Sequence, residues 1–183
     1  MSKVTFCAVV CSSILFLSSC IGFQAYWNLD TDLIEKSYNN ADQLIARSLP
    51  PLTPDQNILI ASYVNIDNLE ESSTFGRAIS EYIASRFVQR GYKIVEMKLR
   101  KSAFIRKKGG EFMLSRALKD ISTEHNVQAV IVGTYSVASD LVYVSSRIIN
   151  PSDNTITSTY DYRLPLGSNT TKMLENTDDP LNW

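Results

Sequence analysis

A single histidine, His125, stands in a chain of 183 residues that also has only three cysteines, two tryptophans, six prolines and seven glycines. Each scarcity closes a class of function. One histidine with no free cysteine at ligand spacing does not complete a zinc set. His125 falls near the end of an expected helix, where a protonated ring suits the negative helix terminus. Asp67, Glu70 and Glu71 are the nearest approach to a cation loop, but their spacing is not that of a calcium site, and a solvated loop is the plainer reading. Lys107-Lys108-Gly109-Gly110 lacks the spacing and the Gly-Lys-Ser/Thr ending of a phosphate loop, and no Gly-x-Ser-x-Gly elbow occurs. A formal net charge of -1 does not suit a bulk polyanion binder, so nucleic acid is not an expected partner. No catalytic residue, metal or cofactor is expected, and any electrostatic recognition must come from a local patch. No apolar run reaches the roughly 18–20 residues that a membrane-spanning helix needs.

What is present begins at the N-terminus. Lys3 precedes a run from Val4 to Leu17, apolar but for Thr5, Cys7, Cys11, Ser12 and Ser13. That is the length and charge pattern of a removable signal peptide, 1–19. Leu17-Ser18-Ser19-Cys20 resembles the lipobox of bacterial lipoproteins. By that resemblance a lipoprotein signal peptidase reads Leu17, Ser18 and Ser19, and Cys20 becomes the lipid-modified first residue. The alternative is a plain secretory signal with Cys20 an ordinary thiol. Cys7 and Cys11 leave with the signal in either case, so no disulfide is expected within the remaining chain. Ile21 stands where an Asp would retain a lipoprotein in the inner membrane, which by the same resemblance implies the outer membrane. Residues 20–29 form a short tether carrying Phe23, Tyr26 and Trp27, suited either to the headgroup region or to packing on the domain.

From Asp30 to Leu166 the pattern is that of one α/β domain. Asp30 or Thr31 is placed to cap a helix reaching about Leu49, with Ile34, Tyr38, Ala41, Ile45 and Leu49 at spacings of three and four. Pro50 and Pro51 end it. Ile58–Val64 is a continuous apolar run, read as a strand buried on both faces. Ser73 or Thr74 caps a helix through Phe75, Ile79, Ile83 and Phe87, and Gly91 closes it. Tyr92–Glu96 reads as a strand, forming a crossover unit in which parallel pairing is favoured. A basic stretch follows, with Lys98, Arg100, Lys101, Arg106, Lys107 and Lys108. A helix over 111–124 and a strand over Val127–Val137 come next, the strand holding an isolated Gly133 that marks a close approach or a bulge. Leu141–Ile149 and Thr155–Leu164 form a hairpin around Asn150-Pro151-Ser152-Asp153-Asn154. Residues 167–183 lack periodicity and read as a loose tail. The expected fold is thus a mixed sheet flanked by helices: an N-terminal helix, then β-α-β-α-β-β-β.

Several groups of these residues resemble the FlgO family: Ile58–Asn65, Ser73-Thr74-Phe75-Gly76-Arg77, Ile79-Ser80-Glu81, Arg90-Gly91-Tyr92, Ala129–Tyr135 and Ser146-Arg147-Ile148-Ile149. The resemblance covers about 57–164. It implies an outer-membrane lipoprotein of the flagellar basal region, anchored through Cys20 and facing the periplasm. Its implied partners are basal-body or ring proteins, or further copies of itself. The same layout resembles the curli-secretion lipoprotein, the TolB N-terminal domain and lipoprotein activators of peptidoglycan synthases. A tethered regulator of an envelope enzyme and a secretion-channel lipoprotein are therefore the alternatives. Two surfaces are candidates for contact. One is the basic patch Lys98–Lys108, which reads either as a solvated connection or as a contact for anionic headgroups, lipopolysaccharide or an acidic partner. The other is the outward face of Thr155–Leu164.

Overall fold

A computed structural model describes residues 30–69, 72–96 and 126–175 of the chain. In chain order these residues form α1 (Leu33–Arg47), β1 (Asn57–Ile60), β2 (Val64–Asn65), α2 (Thr74–Gln89), β3 (Lys93–Glu96), β4 (Val127–Val137), β5 (Leu141–Ile149), β6 (Ile156–Pro165) and α3 (Ser168–Glu175). The lipobox Leu17–Cys20, the tether, Glu70, Glu71, the basic stretch Lys98–Lys108, the 111–124 helix, His125 and residues 176–183 lie outside the described residues.

The strands make one mixed sheet in the order β3-β1-β4-β5-β6, with β2 also pairing with β4. β1 runs parallel to both β3 and β4, whereas β4, β5 and β6 are antiparallel neighbours. The parallel crossover expected for the first strand–helix–strand unit is thus formed. β4 is central, and its Val130 and Ile131 are both fully buried although they point to opposite faces. That double burial is why its sequence is a continuous apolar run rather than an alternation. β5 alternates instead, with Val142, Val144, Ser146 and Ile148 buried and Tyr143 and Arg147 exposed.

One large core lies between the sheet and the helices. It contains Ala41 and Leu44 of α1 and Phe75, Ile79, Ile83 and Phe87 of α2, with Met173 and Leu174 of α3 packed against it. Each of the large side chains contributes roughly 1.5–3 kcal/mol through burial. A smaller cluster, Leu59, Val127 and Val130 with Val95 and Val132, occupies the opposite face.

The helix ends follow from local chemistry. Asp32, not Asp30 or Thr31, caps α1 by accepting the Ile34 and Glu35 N–H groups. Ser73 caps α2 through the Gly76 N–H, and Gly91, at φ 87°, provides the left-handed exit that a residue with a Cβ resists. Three further expectations need correction. The stripe Ile34, Tyr38, Ala41, Ile45 and Leu49 is not the core face of α1: the helix buries Ser37, Asn40, Ala41 and Leu44, while Ile34 and, beyond its end, Leu49 are exposed, because Asn40 is turned inward to bond Ser146 of β5. The strand expected over Ile58–Val64 is split into β1 and β2, because the Tyr63 N–H turns to the Gly76 carbonyl of α2. The loose tail expected from Gly167 is not loose over its first part, because Ser168–Glu175 is a helix. Asp30 is its cap: both carboxylate oxygens accept the Asn169 N–H, and Oδ1 also accepts that of Thr170. Asp30 does cap a helix, but one 139 residues away in sequence.

Candidate functional site

The residues that carry the family resemblance converge on Tyr63. The break between β1 and β2 drops its ring onto Gly133 of β4, where any Cβ would collide with ring carbons. Gly76 of α2 presses against the Tyr63 carbonyl in the same way. Phe75 meets Tyr135 edge to face, ring centroids 5.5 Å apart. The Ser72 hydroxyl then donates to the Tyr63 carbonyl at 3.0 Å. The close approach expected at Gly133 is therefore real, and its partner is a side chain from the adjoining strand line.

Beneath this contact lies a buried polar group shared by α1, β5 and β6. Asn40 Nδ2 donates to Ser146 Oγ at 2.7 Å, both residues being fully buried. The Ser37 hydroxyl, the Asn40 carbonyl oxygen and the hydroxyls of Tyr63 and Tyr162 are also buried, without a hydrogen bond of good geometry. Burial pushes the Tyr63 and Tyr162 hydroxyls well above the usual phenol range, only partly offset by neighbouring Ser and Asn side chains. The cluster lies within the packing between α1, β5 and β6.

On the helix side, Asp42 pairs with both Arg86 and Arg90. Asp42 accepts four bonds of 2.8–3.1 Å from Arg86 and Arg90, and Arg86 also lies 5.3 Å over the Tyr38 ring. The hydrogen bonds from Arg90, then from Arg86, hold the Asp42 carboxyl well below the usual carboxylate range. This clamp ties α1 to α2 and was not foreseen, since 44 residues separate Asp42 from Arg86. No group of three or more His, Cys, Asp or Glu residues capable of holding a metal occurs among the described residues. A cleft of about 310 Å³ opens beside Ser48, Pro51, Leu52, Thr53, Gln128 and Asn150. Its polar lining is engaged internally: the Gln128 amide accepts from the Thr53 N–H and hydroxyl and donates to the carbonyls of Thr53 and Gln56. Little remains there to orient a small ligand.

Among the described residues, a surface open to another molecule is the outer face of the β5–β6 hairpin. Thr159, Asp161 and Arg163 of β6 are exposed on the side away from the helices, as expected for the outward half of Thr155–Leu164. β5 adds Tyr143, 47% exposed and paired with Arg163, and Arg147, paired with Thr159. Sequence reasoning missed these two, although the alternation Val-Tyr-Val-Ser-Ser-Arg carried the signal. The inward half of β6 is fixed to α1: Ser158 Oγ donates to the Leu44 carbonyl, Asn39 Nδ2 donates to the Tyr160 hydroxyl, and Arg47 lies over the Tyr160 ring at 5.2 Å. Hence the face is rigid. An apolar spot, Leu49 at 76% and Ile156 at 49% exposed, sits where the Leu49 N–H donates to the Thr157 carbonyl. Asp67 is exposed in its loop, and among the described residues no helix is long and apolar enough to cross a membrane.

Residues 38–169 match the family described as FlgO protein, a span that runs from within α1 into α3. No curated protein matches the sequence. Among solved structures, the LpoB C-terminal domain from Salmonella enterica is similar, with TM-score 0.52 and 9% identity over 73% of this chain and 98% of that one. The LpoB C-terminal domain from Escherichia coli has TM-score 0.51 and 9% identity, covering 75% of this chain and 100% of that one. Lipoprotein GNA1162 from Neisseria meningitidis has TM-score 0.45 and 13% identity, over 62% and 83%. At these identities the likeness is one of fold.

Proposed function

Because the chain belongs to the FlgO family, we propose that it is an outer-membrane lipoprotein of the flagellar basal region, acting through protein contacts rather than catalysis. The family match over 38–169 carries this reading, since that span takes in nearly the whole described domain. Lipid on Cys20 places the domain at the membrane, each buried methylene contributing about 0.8 kcal/mol. The tether of residues 20–29 keeps it within about 35 Å of the bilayer even when extended. The domain then offers its rigid β5–β6 face to basal-body or ring proteins. That short tether also weighs against a regulator reaching across the periplasm to an envelope enzyme, the reading that the LpoB-like fold leaves as second choice. The basic patch of Lys98, Arg100, Lys101, Arg106, Lys107 and Lys108 is proposed as a contact for anionic headgroups or an acidic partner.

The test is a Cys20→Ala chain expressed in place of the native one, followed by membrane fractionation and a swimming assay. Loss from the outer membrane with impaired motility is the expected result. Outer-membrane recovery and normal swimming would overturn the anchoring argument, and a deletion strain with unaltered flagella and swimming would overturn the flagellar one. Gln at all six basic positions should reduce membrane association or motility; no change in either removes the patch from the proposal.

A further inference from the structure

β6 is the edge of the sheet among the described residues, and beyond Thr157, whose carbonyl accepts the Leu49 N–H, no main-chain bond from a described residue meets its outer side. The hydrogen-bond phase is set at both ends. Leu49 bonds Thr157 from outside, and at the far end the Leu166 N–H donates to the Asp140 carbonyl inside the β5–β6 ladder. With a period of two, Ser158, Tyr160, Tyr162 and Leu164 turn their main chain towards β5, whereas Thr159, Asp161 and Arg163 turn theirs outward. An open edge of this kind normally invites pairing, and charged side chains normally discourage it. Here the two charges that β6 itself puts on the exposed face, Asp161 and Arg163, have opposite signs, and neither makes an ion pair among the described residues.

We infer that a second copy of this chain pairs with β6 edge to edge, antiparallel, about a two-fold axis at Tyr162, so that Asp161 of each copy lies opposite Arg163 of the other. In that register the two residues form a hydrogen-bonded pair, exchanging both main-chain bonds, and the symmetry repeats the exchange. The side chains then form two cross-strand ion pairs on the exposed face. Moving the axis to Asp161 sets carboxylate against carboxylate, and moving it to Arg163 sets guanidinium against guanidinium. Placing it at Tyr160 brings in Thr157, whose carbonyl is already taken. Pro165, which has no N–H, limits the pairing beyond Arg163. Charge and hydrogen-bond phase thus select one register out of four. An interface of one strand edge is small, so association is concentration-dependent, and confinement to a membrane by Cys20 raises the effective concentration. The inference deepens the contact reading proposed above, but its test does not depend on a flagellum.

The experiment is sedimentation equilibrium of the full chain in detergent, with energy transfer between differently labelled chains after mixing. The unaltered chain should reach a dimer as concentration rises. Asp161→Arg and Arg163→Asp should each weaken it by about tenfold or more, since each sets like charges opposite one another. Mixing the two variants should restore pairing, because each chain then meets its opposite charge at both positions. Arg163→Pro removes an outward N–H without touching the β5 ladder, so dimerisation should fall while circular dichroism stays unchanged. A monomer at every concentration, association indifferent to these substitutions, no rescue on mixing, or an assembly larger than two would each overturn the inference. None of those results would bear on whether the chain serves the flagellum.

Discussion

Replacing Gly133 by Ala places a methyl group where the Tyr63 ring now lies, inside contact distance of three ring carbons. The ring has nowhere to retreat: Tyr63 is fully buried, its N–H is directed to Gly76, and its carbonyl accepts the Ser72 hydroxyl. Overpacking of this kind costs about 1–3 kcal/mol. Tyr63→Ala alone removes a large buried aromatic side chain and costs about 3–5 kcal/mol. With the ring gone, however, the methyl at 133 meets open space, and Ala in a strand is favoured over Gly by about 0.5–1 kcal/mol. The cost of Gly133→Ala should therefore reverse sign in the Tyr63→Ala background, a coupling of about 1.5–4 kcal/mol between the two sites. Urea unfolding of the four chains of the cycle measures it. Effects that add to within about 0.5 kcal/mol would mean the ring does not sit on Gly133, and would refute the close contact between Tyr63 and β4.

Asp42→Asn should cost about 1–2 kcal/mol at pH 7, discounted because Asp42 is 29% exposed and Arg90 49% exposed. The Asp42 carboxyl titrates lower in the folded chain than its ordinary 3.8, so its stabilisation is complete above that pH. The gap between the two chains should then close as pH falls below 3.8, which thermal unfolding at stepped pH would show; a gap that persists into strong acid speaks against the clamp. Asp30→Ala removes the acceptor for the Asn169 and Thr170 N–H groups and should cost about 1 kcal/mol. In hydrogen exchange it should expose the α3 amides while leaving β5 protected; equal loss in both would place Asp30 in the global core instead. Tyr63→Phe deletes a buried hydroxyl that lacks a well-formed hydrogen bond, and should leave stability unchanged or raise it by up to about 1 kcal/mol. A loss above 2 kcal/mol in thermal unfolding would show that the hydroxyl is well bonded.

Where one element's own periodicity decides its state, the sequence is a sufficient guide. β4 and β5 span Val127–Val137 and Leu141–Ile149 as expected, because one is apolar on both faces and the other alternates. The Ser73 cap, the Gly91 exit and the hairpin turn, with Asn154 at φ 60°, are equally local. Ile58–Val64 misled because Ala61 and Tyr63 are as buried as strand residues, at 2% and 0% exposure. What breaks the strand is a hydrogen bond to a carbonyl on another element. α3 was missed for a related reason: its sequence is weakly apolar, and its cap is supplied by Asp30 at the far end of the chain.

The chain's own pattern thus determined the fold class, the extents of β4 and β5, the apolar face of α2 and the outward face of β6. Only the tertiary structure decided what those elements do to one another. It set Tyr63 on Gly133, joined Asp42 to two arginines, hid Asn40 and Ser146 together and left β6 at the edge with Asp161 and Arg163 facing out. The physical reason is range. Periodicity and capping are set by neighbours within a few residues, whereas close contacts, ion pairs and open edges depend on which distant segments the sheet order brings side by side.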